Sequence, residues 1–255
     1  MSTERNPLTA RSVVASTLLG TDPPWLPTRA LVRAGDLFGI PEGTIRVALS
    51  RMAGAGEVEA SGQGYQLAGH LLDRQARQTA SRAAATQPWD GTWEIALVGS
   101  GSARAAADRA LLRQALSDLR LGELREGIWM RPANLPPERA PEARAVTTAQ
   151  CLWVRRADVE PTPDPAELWD LTSWVADARA LQSELAGLLP GVEAGDTAAL
   201  RAGFVTSAAV LRLLQRDPLL PTGLLPADWP GDALRRDYDR YDAVWRASFL
   251  RHLET

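Results

Sequence analysis

One stretch of the chain limits the fold more than any other. Between Glu42 and Ala55 the apolar residues Ile45, Ala48, Leu49 and Met52 recur at i, i+3, i+4 and i+7. That spacing gathers them on one stripe of a helix and leaves the other side to solvent. The outward positions are Glu42, Thr44, Arg46, Val47, Ser50 and Arg51, and Gly54 and Gly56 close the segment. Upstream, Thr28 is a predicted N-cap for a helix over Arg29–Leu37, whose Leu31, Val32 and Leu37 form an apolar stripe. Gly39-Ile40-Pro41 allows only a tight connection between these two helices. Downstream, Glu57–Ala60 and Tyr65–Leu67 flank Ser61-Gly62-Gln63-Gly64, a hairpin signal.

Helix, turn, helix and hairpin is the order of a winged helix-turn-helix. In such a unit the second helix enters the major groove and its outward side chains reach base edges. Thr44, Arg46, Ser50 and Arg51 are the predicted DNA-reading set. Arg forks onto guanine O6 and N7, and Ser and Thr bond bases or phosphates. The competing reading of the same residues is a solvated helix face carrying two Arg. The wing departs from a basic one: Glu57 and Glu59 lead into it, and Ser61–Gly64 carries no cation.

Proline clusters at Thr86–Trp89 and Pro161–Pro165 suggest linkers. They divide the chain into residues 1–87, 88–162 and 163–255. The first also holds a helix over Thr9–Gly20, with Val13, Val14, Thr17 and Leu18 on one face, and a helix over His70–Ala85. The second reads as a strand at Trp93–Val98 and a helix at Ala103–Leu121 with Leu111, Leu112, Ala115, Leu116 and Leu119 spaced for burial. A further strand follows at Leu124–Arg131, and one or two more within Val146–Val154. This order fits a small ferredoxin-like α+β sandwich. The third reads as helical: Asp164 capping a helix through Leu168, Leu171, Trp174 and Val175 to Leu189, then Thr197–Gln215 and Ala233–Leu253, with a proline-rich stretch before the last. The expected fold class is thus α+β: winged helix-turn-helix, ferredoxin-like sandwich, helical C-terminal domain.

Composition narrows the class. Hydrophobic residues make up 45% of the 255 positions, enough for ordinary cores. No apolar run approaches the roughly 20 residues that span a bilayer, and the N-terminus lacks the apolar stretch of a secretory signal. The expectation is a cytoplasmic protein without a membrane partner. The single cysteine, Cys151, excludes an intramolecular disulfide and a Cys-cluster zinc site. All 28 basic side chains are Arg, which with abundant Ala points to a GC-rich genome more than to function. Net charge is −3, with the N-terminal segment mildly basic and the C-terminal one acidic. Such a chain does not coat nucleic acid indiscriminately; it permits a local reading surface.

The stretch IPEGTIRVALSRMAGAGEVE resembles the recognition helix and wing start of the PaaX family, repressors of phenylacetate catabolism. WEIALVGS and GELREGIWMRP resemble that family's central domain, and RDPLLPTGLLPADWPG resembles its C-terminal signature. The resemblance implies a homodimeric repressor that binds a double-stranded DNA operator. It also implies relief of repression by a small effector, an aryl-CoA thioester such as phenylacetyl-CoA or an aromatic acid, with no cofactor. The central segment also resembles the fold of the nuclease Cas2, which holds metal with an Asp at the end of its first strand. The run Glu94–Gly101 has no Asp. No metal site is therefore expected, and a dimerisation or spacer role is favoured over a nucleic-acid-processing enzyme, the alternative function.

Other candidates are weaker. His70 and His252 lack any surrounding motif, and Cys151 reads as a buried strand residue. The short GSGS run at Gly99–Ser102 could form a phosphate-binding turn but matches neither glycine-rich nucleotide motif. Trp93, Trp129 and Trp153 are expected to pack the central domain, and Trp169, Trp174, Trp229 and Trp245 the C-terminal one; lining an aromatic-acid pocket is the other reading. Arg131, Arg155, Arg156 and Arg216 are candidates for an effector phosphate or carboxylate, with solvated charge the default. The ligand-binding residues are otherwise unassigned.

Overall fold

The computed structural model describes residues 8–99 and 105–254. The chain forms two compact units: Met1–Thr79 with Leu181–Val210 and Arg235–Thr255, and Ala80–Ala180 with Leu211–Leu234. The C-terminal helices α8 (Leu171–Glu193), α9 (Thr197–Gln215) and α10 (Gly231–Glu254) therefore contribute residues to both.

The first unit opens with α1 (Ala10–Leu19), whose Thr9 and Ser12 form a reciprocal capping box. Then come β1 (Trp25–Pro27), α2 (Thr28–Leu37) and α3 (Glu42–Gly54). A two-residue turn joins β2 (Val58–Ser61) to β3 (Gly64–Leu67), and α4 (His70–Ala83) follows. The sheet is antiparallel with order β1-β3-β2. Val13, Val14, Leu18, Leu31, Leu37, Ile45, Leu49, Met52, Val58 and Leu67 are buried. This is the winged-helix arrangement, with the expected apolar faces inward.

Two hydrogen-bond pairs fix the ends of α2 and α3. The Ile40 amide donates to the Gly35 carbonyl and Gly39 to Asp36; Glu57 donates to Met52 and Gly56 to Ala53. Gly39 and Gly56 hold φ of 68° and 69°. Each is a Schellman stop, in which a left-handed residue lets the chain turn back on the last carbonyls. Thr28 does not cap α2. It is the first helical residue, and its hydroxyl donates to the Gln63 carbonyl, tying the helix to the wing instead. The helix-turn-helix also packs on C-terminal residues: Phe38 meets Phe204 at 4.9 Å, Phe204 meets Trp245, and Trp245 stacks on Phe249 at 4.6 Å.

The second unit holds β4 (Trp93–Val98), α5 (Ala106–Asp118), β5 (Gly122–Arg125), β6 (Ile128–Pro132), α6 (Pro141–Gln150) and β7 (Cys151–Ala157). The sheet is antiparallel with order β5-β6-β4-β7, a βαββαβ ferredoxin-like layout. Ala96, Leu112, Leu116, Leu119, Trp129 and Ala143 form the core under the two helices. Trp93, Met130 and Leu168 anchor a second cluster. Three expectations change here. The stretch 124–131 is a hairpin, not one strand, because Gly127 adopts φ of 76° and reverses the chain. Residues 146–150 are helical; Ala143, Val146 and Thr147 share a helical spacing that a strand reading overlooks. Leu111 is 54% exposed, since α5 turns that flank to solvent.

At the C-terminus, the single helix expected from Asp164 to Leu189 is two. Asp164 caps a short α7 (Pro165–Leu168), Trp169 turns extended, and Asp170 accepts from the Ser173 amide to restart the helix as α8. Helix α9 is long and apolar enough to cross a membrane by length and composition, although Arg201 and Arg212 interrupt its apolar run. Its Leu200, Phe204, Val210, Leu213 and Leu214 are buried within the protein, as in the core helix of a folded domain.

Candidate nucleic-acid interface

Helix α3 presents the surface that sequence spacing singles out. Pro41 precedes it with extended backbone, Glu42 lies in its first turn and Arg51 in its last, each favourable to the helix dipole. Ile45, Leu49 and Met52 are buried, and Ala48 is half-buried. Glu42, Thr44, Arg46, Val47, Ser50 and Arg51 are all exposed on the opposite side. One helix face therefore carries two cations, two hydroxyls and one anion. The anion engages one of the cations: Arg46 Nε donates to Glu42 Oε1 at 2.7 Å.

Close crossing of α2 against α3 sets the angle of this face. A Cβ on Gly35 would lie 2.5 Å from Ile45 Cγ1, so only glycine lets the two axes approach this far. The wing is braced from behind, with Trp25 Nε1 donating to the Ser61 carbonyl at 3.0 Å. Its tip carries no cation, as the sequence indicates. Glu59 instead accepts from Gln66 Nε2 across the hairpin.

Between the start of α1 and α3 runs a groove with Thr9, Arg11, Thr44, Arg51 and Glu57 on its walls. Arg11 donates through Nε and Nη2 to the two oxygens of Glu57. The Arg11 guanidinium holds the Glu57 carboxyl below its ordinary range, against a smaller opposing effect of burial. His70 Nε2 lies 4.0 Å from the same carboxylate, on an exposed side chain. Sequence marks Glu57 as an acid leading into the wing but gives no sign of its pairing with Arg11, because the two lie 46 positions apart and no local pattern joins them.

The arginines suggested for an effector have separate environments. Arg131 is fully buried and donates to the carbonyls of Pro132, Leu119 and Leu219 and to Asn134 Oδ1. Burial pushes it down to about 9, still cationic at neutral pH. Its role is to tie the sheet to the 217–220 segment. Arg156 pairs with Asp90, and Arg216 lies 3.8 Å from Asp177. Arg155 donates to Glu94 at 2.8 Å and lies over the Trp153 ring. Cys151 is half-buried at the start of β7, not fully buried as expected. Gly99 is described, but Ser100–Ser102 lie outside the described residues. Trp93, Trp129, Trp174 and Trp245 are buried, and Trp174 stacks on Trp229 at 4.2 Å. Among the described residues no group of three or more His, Cys, Asp and Glu could hold a metal ion.

Fold and surface together define a winged-helix protein carrying a Cas2-like module. Three family models match in series: PaaX-like protein over residues 9–71, PaaX protein central Cas2-like domain over 86–169, and PaaX-like protein C-terminal domain over 169–255. The chain belongs to the PaaX family, a family of transcriptional regulators. A solved structure, the uncharacterized protein Rv0674 from Mycobacterium tuberculosis, is similar at 37% identity and a TM-score of 0.74, covering 96% of this chain and 98% of that one. No curated protein matches the chain.

Proposed function

We propose that this protein is a cytoplasmic, homodimeric transcriptional repressor that reads a double-stranded DNA operator with α3 and releases it when a small acidic effector binds, an aryl-CoA thioester such as phenylacetyl-CoA. The observation that carries the reading is the division of α3: Ile45, Leu49 and Met52 hold it to the body, while Thr44, Arg46, Ser50 and Arg51 stand free of the core. A helix fixed on one side and polar on the other is what a major groove accepts. Family membership supplies the regulatory context. Two copies would place two α3 helices about one helical turn of DNA apart. An effector would act by favouring a dimer geometry that no longer matches that spacing.

The test is binding of the full-length protein to duplexes enriched from a random pool. Arg51→Ala, whose guanidinium would contact a base, is expected to cost about 1–3 kcal/mol and to relax sequence preference at one position. Wild-type affinity and selectivity in that variant would remove α3 from the interface. Phenylacetyl-CoA is expected to lower operator occupancy, and a screen of CoA thioesters by thermal shift checks the effector class.

A further inference from the structure

The helix-covered face of the Cas2-like sheet carries charge that its own carboxylates do not balance. Glu94 on β4 shares that face with Ala96, and Arg131 lies opposite Glu94 in the β4–β6 register. Trp153 lies opposite Ala96 in the β4–β7 register, and Arg155 follows two residues on, hence on the same side. Arg144 comes from the covering helix α6, next to Ala143 in the core. Two guanidinium groups thus lie within 4 Å of one carboxylate, and the charge of buried Arg131 acts on it from farther off. Arg155 takes the hydrogen bond to Glu94, while Arg144 lies 3.9 Å from it, beyond hydrogen-bond reach. Glu138 is a further negative neighbour of Arg144 but is exposed, and Arg120 and Arg139 are further positive neighbours of Arg131.

Among the described residues, two buried polar atoms on this flank have no hydrogen-bond partner: Arg144 Nε and Trp153 Nε1. Both are obligate donors. The Arg144 and Glu94 side chains are 15% and 14% exposed, so solvent reaches them only at an edge. Arg155 is held above the Trp153 ring at 4.8 Å, half open to solvent. An excess of positive charge beside unpaired buried donors calls for a group that is anionic and accepts only. A phosphate monoester offers three acceptor oxygens and close to two negative charges, and Arg recognises it with paired donors. A carboxylate supplies one charge and two oxygens.

We propose that this α6–β7 flank binds a phosphate group through Arg144, Arg155 and the indole N–H of Trp153, with Glu94 positioning Arg155. The phosphate would come from a nucleotide-bearing effector such as a CoA thioester or from free phosphate. The site deepens the repressor reading by giving the effector a place to bind, and its own test uses no DNA.

Calorimetric titration of the full-length protein with inorganic phosphate, adenosine 3′,5′-bisphosphate, coenzyme A and phenylacetate distinguishes the sources. Inorganic phosphate is expected to bind weakly, the two nucleotides more tightly, and phenylacetate not at all. Arg144→Gln and Trp153→Phe should each weaken nucleotide binding by about tenfold or more, while Arg216→Gln leaves it unchanged. The indole proton resonance that Trp153→Phe abolishes should shift on phosphate addition. Unperturbed melting temperatures of the ligand-free variants separate loss of the site from loss of the fold. Absence of binding by all phosphate probes, undiminished binding in Arg144→Gln, or equal Arg144-dependent binding of phenylacetate would each overturn the assignment. Retained operator binding by Arg144→Gln would leave the repressor reading standing in every case.

Discussion

Glu42→Gln is predicted to make the protein less stable and its DNA complex tighter. In the free protein Glu42 lies in the first turn of α3 and accepts from Arg46 at 2.7 Å, with both side chains more than half exposed. An exposed i,i+4 pair contributes about 0.3–0.5 kcal/mol, and a carboxylate at a helix N-terminus about 0.3–1 kcal/mol. The variant should therefore lose about 0.5–1.5 kcal/mol of folding stability, read as a melting point lower by a few degrees. In the proposed complex the same carboxylate would face phosphates. At about 7 Å in water each repulsion is about 0.6 kcal/mol before salt screening. Arg46 must also leave Glu42 to reach a base or phosphate, at about 0.3–0.5 kcal/mol. Removing both penalties gives about 1 kcal/mol, or roughly fivefold tighter binding. The assay is fluorescence anisotropy with an enriched duplex at low and moderate salt, paired with thermal melts of the free protein. A gain that shrinks with added salt fits the electrostatic origin. Unchanged or weaker binding in a folded Glu42→Gln protein would mean that the start of α3 does not approach the phosphates.

Three other perturbations probe the framework. Gly35→Ala would push a Cβ to 2.5 Å from Ile45 and should destabilise the protein by about 1–3 kcal/mol and lower operator affinity by tilting α3; an unchanged melting point would show that the crossing is not tight. The Glu57 carboxyl titrates below its ordinary value in the fold because of Arg11, so the tie stabilises above the unfolded carboxyl range and is lost as pH falls through the folded value. The stability gap between wild type and Arg11→Gln should accordingly be widest at neutral pH and close in acid; a gap constant to about pH 3 would refute the linkage. Arg131→Met leaves the carbonyls of Pro132 and Leu119 and the Asn134 amide oxygen without their buried donor, and should cost about 3–5 kcal/mol in denaturant melts. A loss below about 1 kcal/mol would mean that the network reorganises around the methionine.

The helix-turn-helix was legible in the chain because its information is local. The apolar spacing of Ile45, Leu49 and Met52, the glycines at 39 and 56 and the hairpin signal at Ser61–Gly64 each act within a few positions, and the structure keeps them, with Ser61 and Gly64 paired as the strand ends. The outward set on α3 follows directly, since a helix buried on one side must expose the other. The α5–α6 sandwich was only partly legible. Leu124–Arg131 reads as a continuous strand unless Gly127 is given a positive φ, and the α6 helix competes with the β-branched Val146 and Thr147 beside it.

What sequence alone determined is the helix, turn, helix and hairpin order of the first segment and the face of α3 left exposed, because backbone periodicity commits each short segment by itself. Tertiary structure decided which charges meet. Arg131 reads as a surface cation and is a buried strut, Arg11 finds Glu57 across 46 positions, and Arg144 is carried by α6 to the flank where Glu94, Trp153 and Arg155 converge. Electrostatic environment depends on burial and on neighbours distant in the chain, and neither quantity exists until the helices have packed on the sheet.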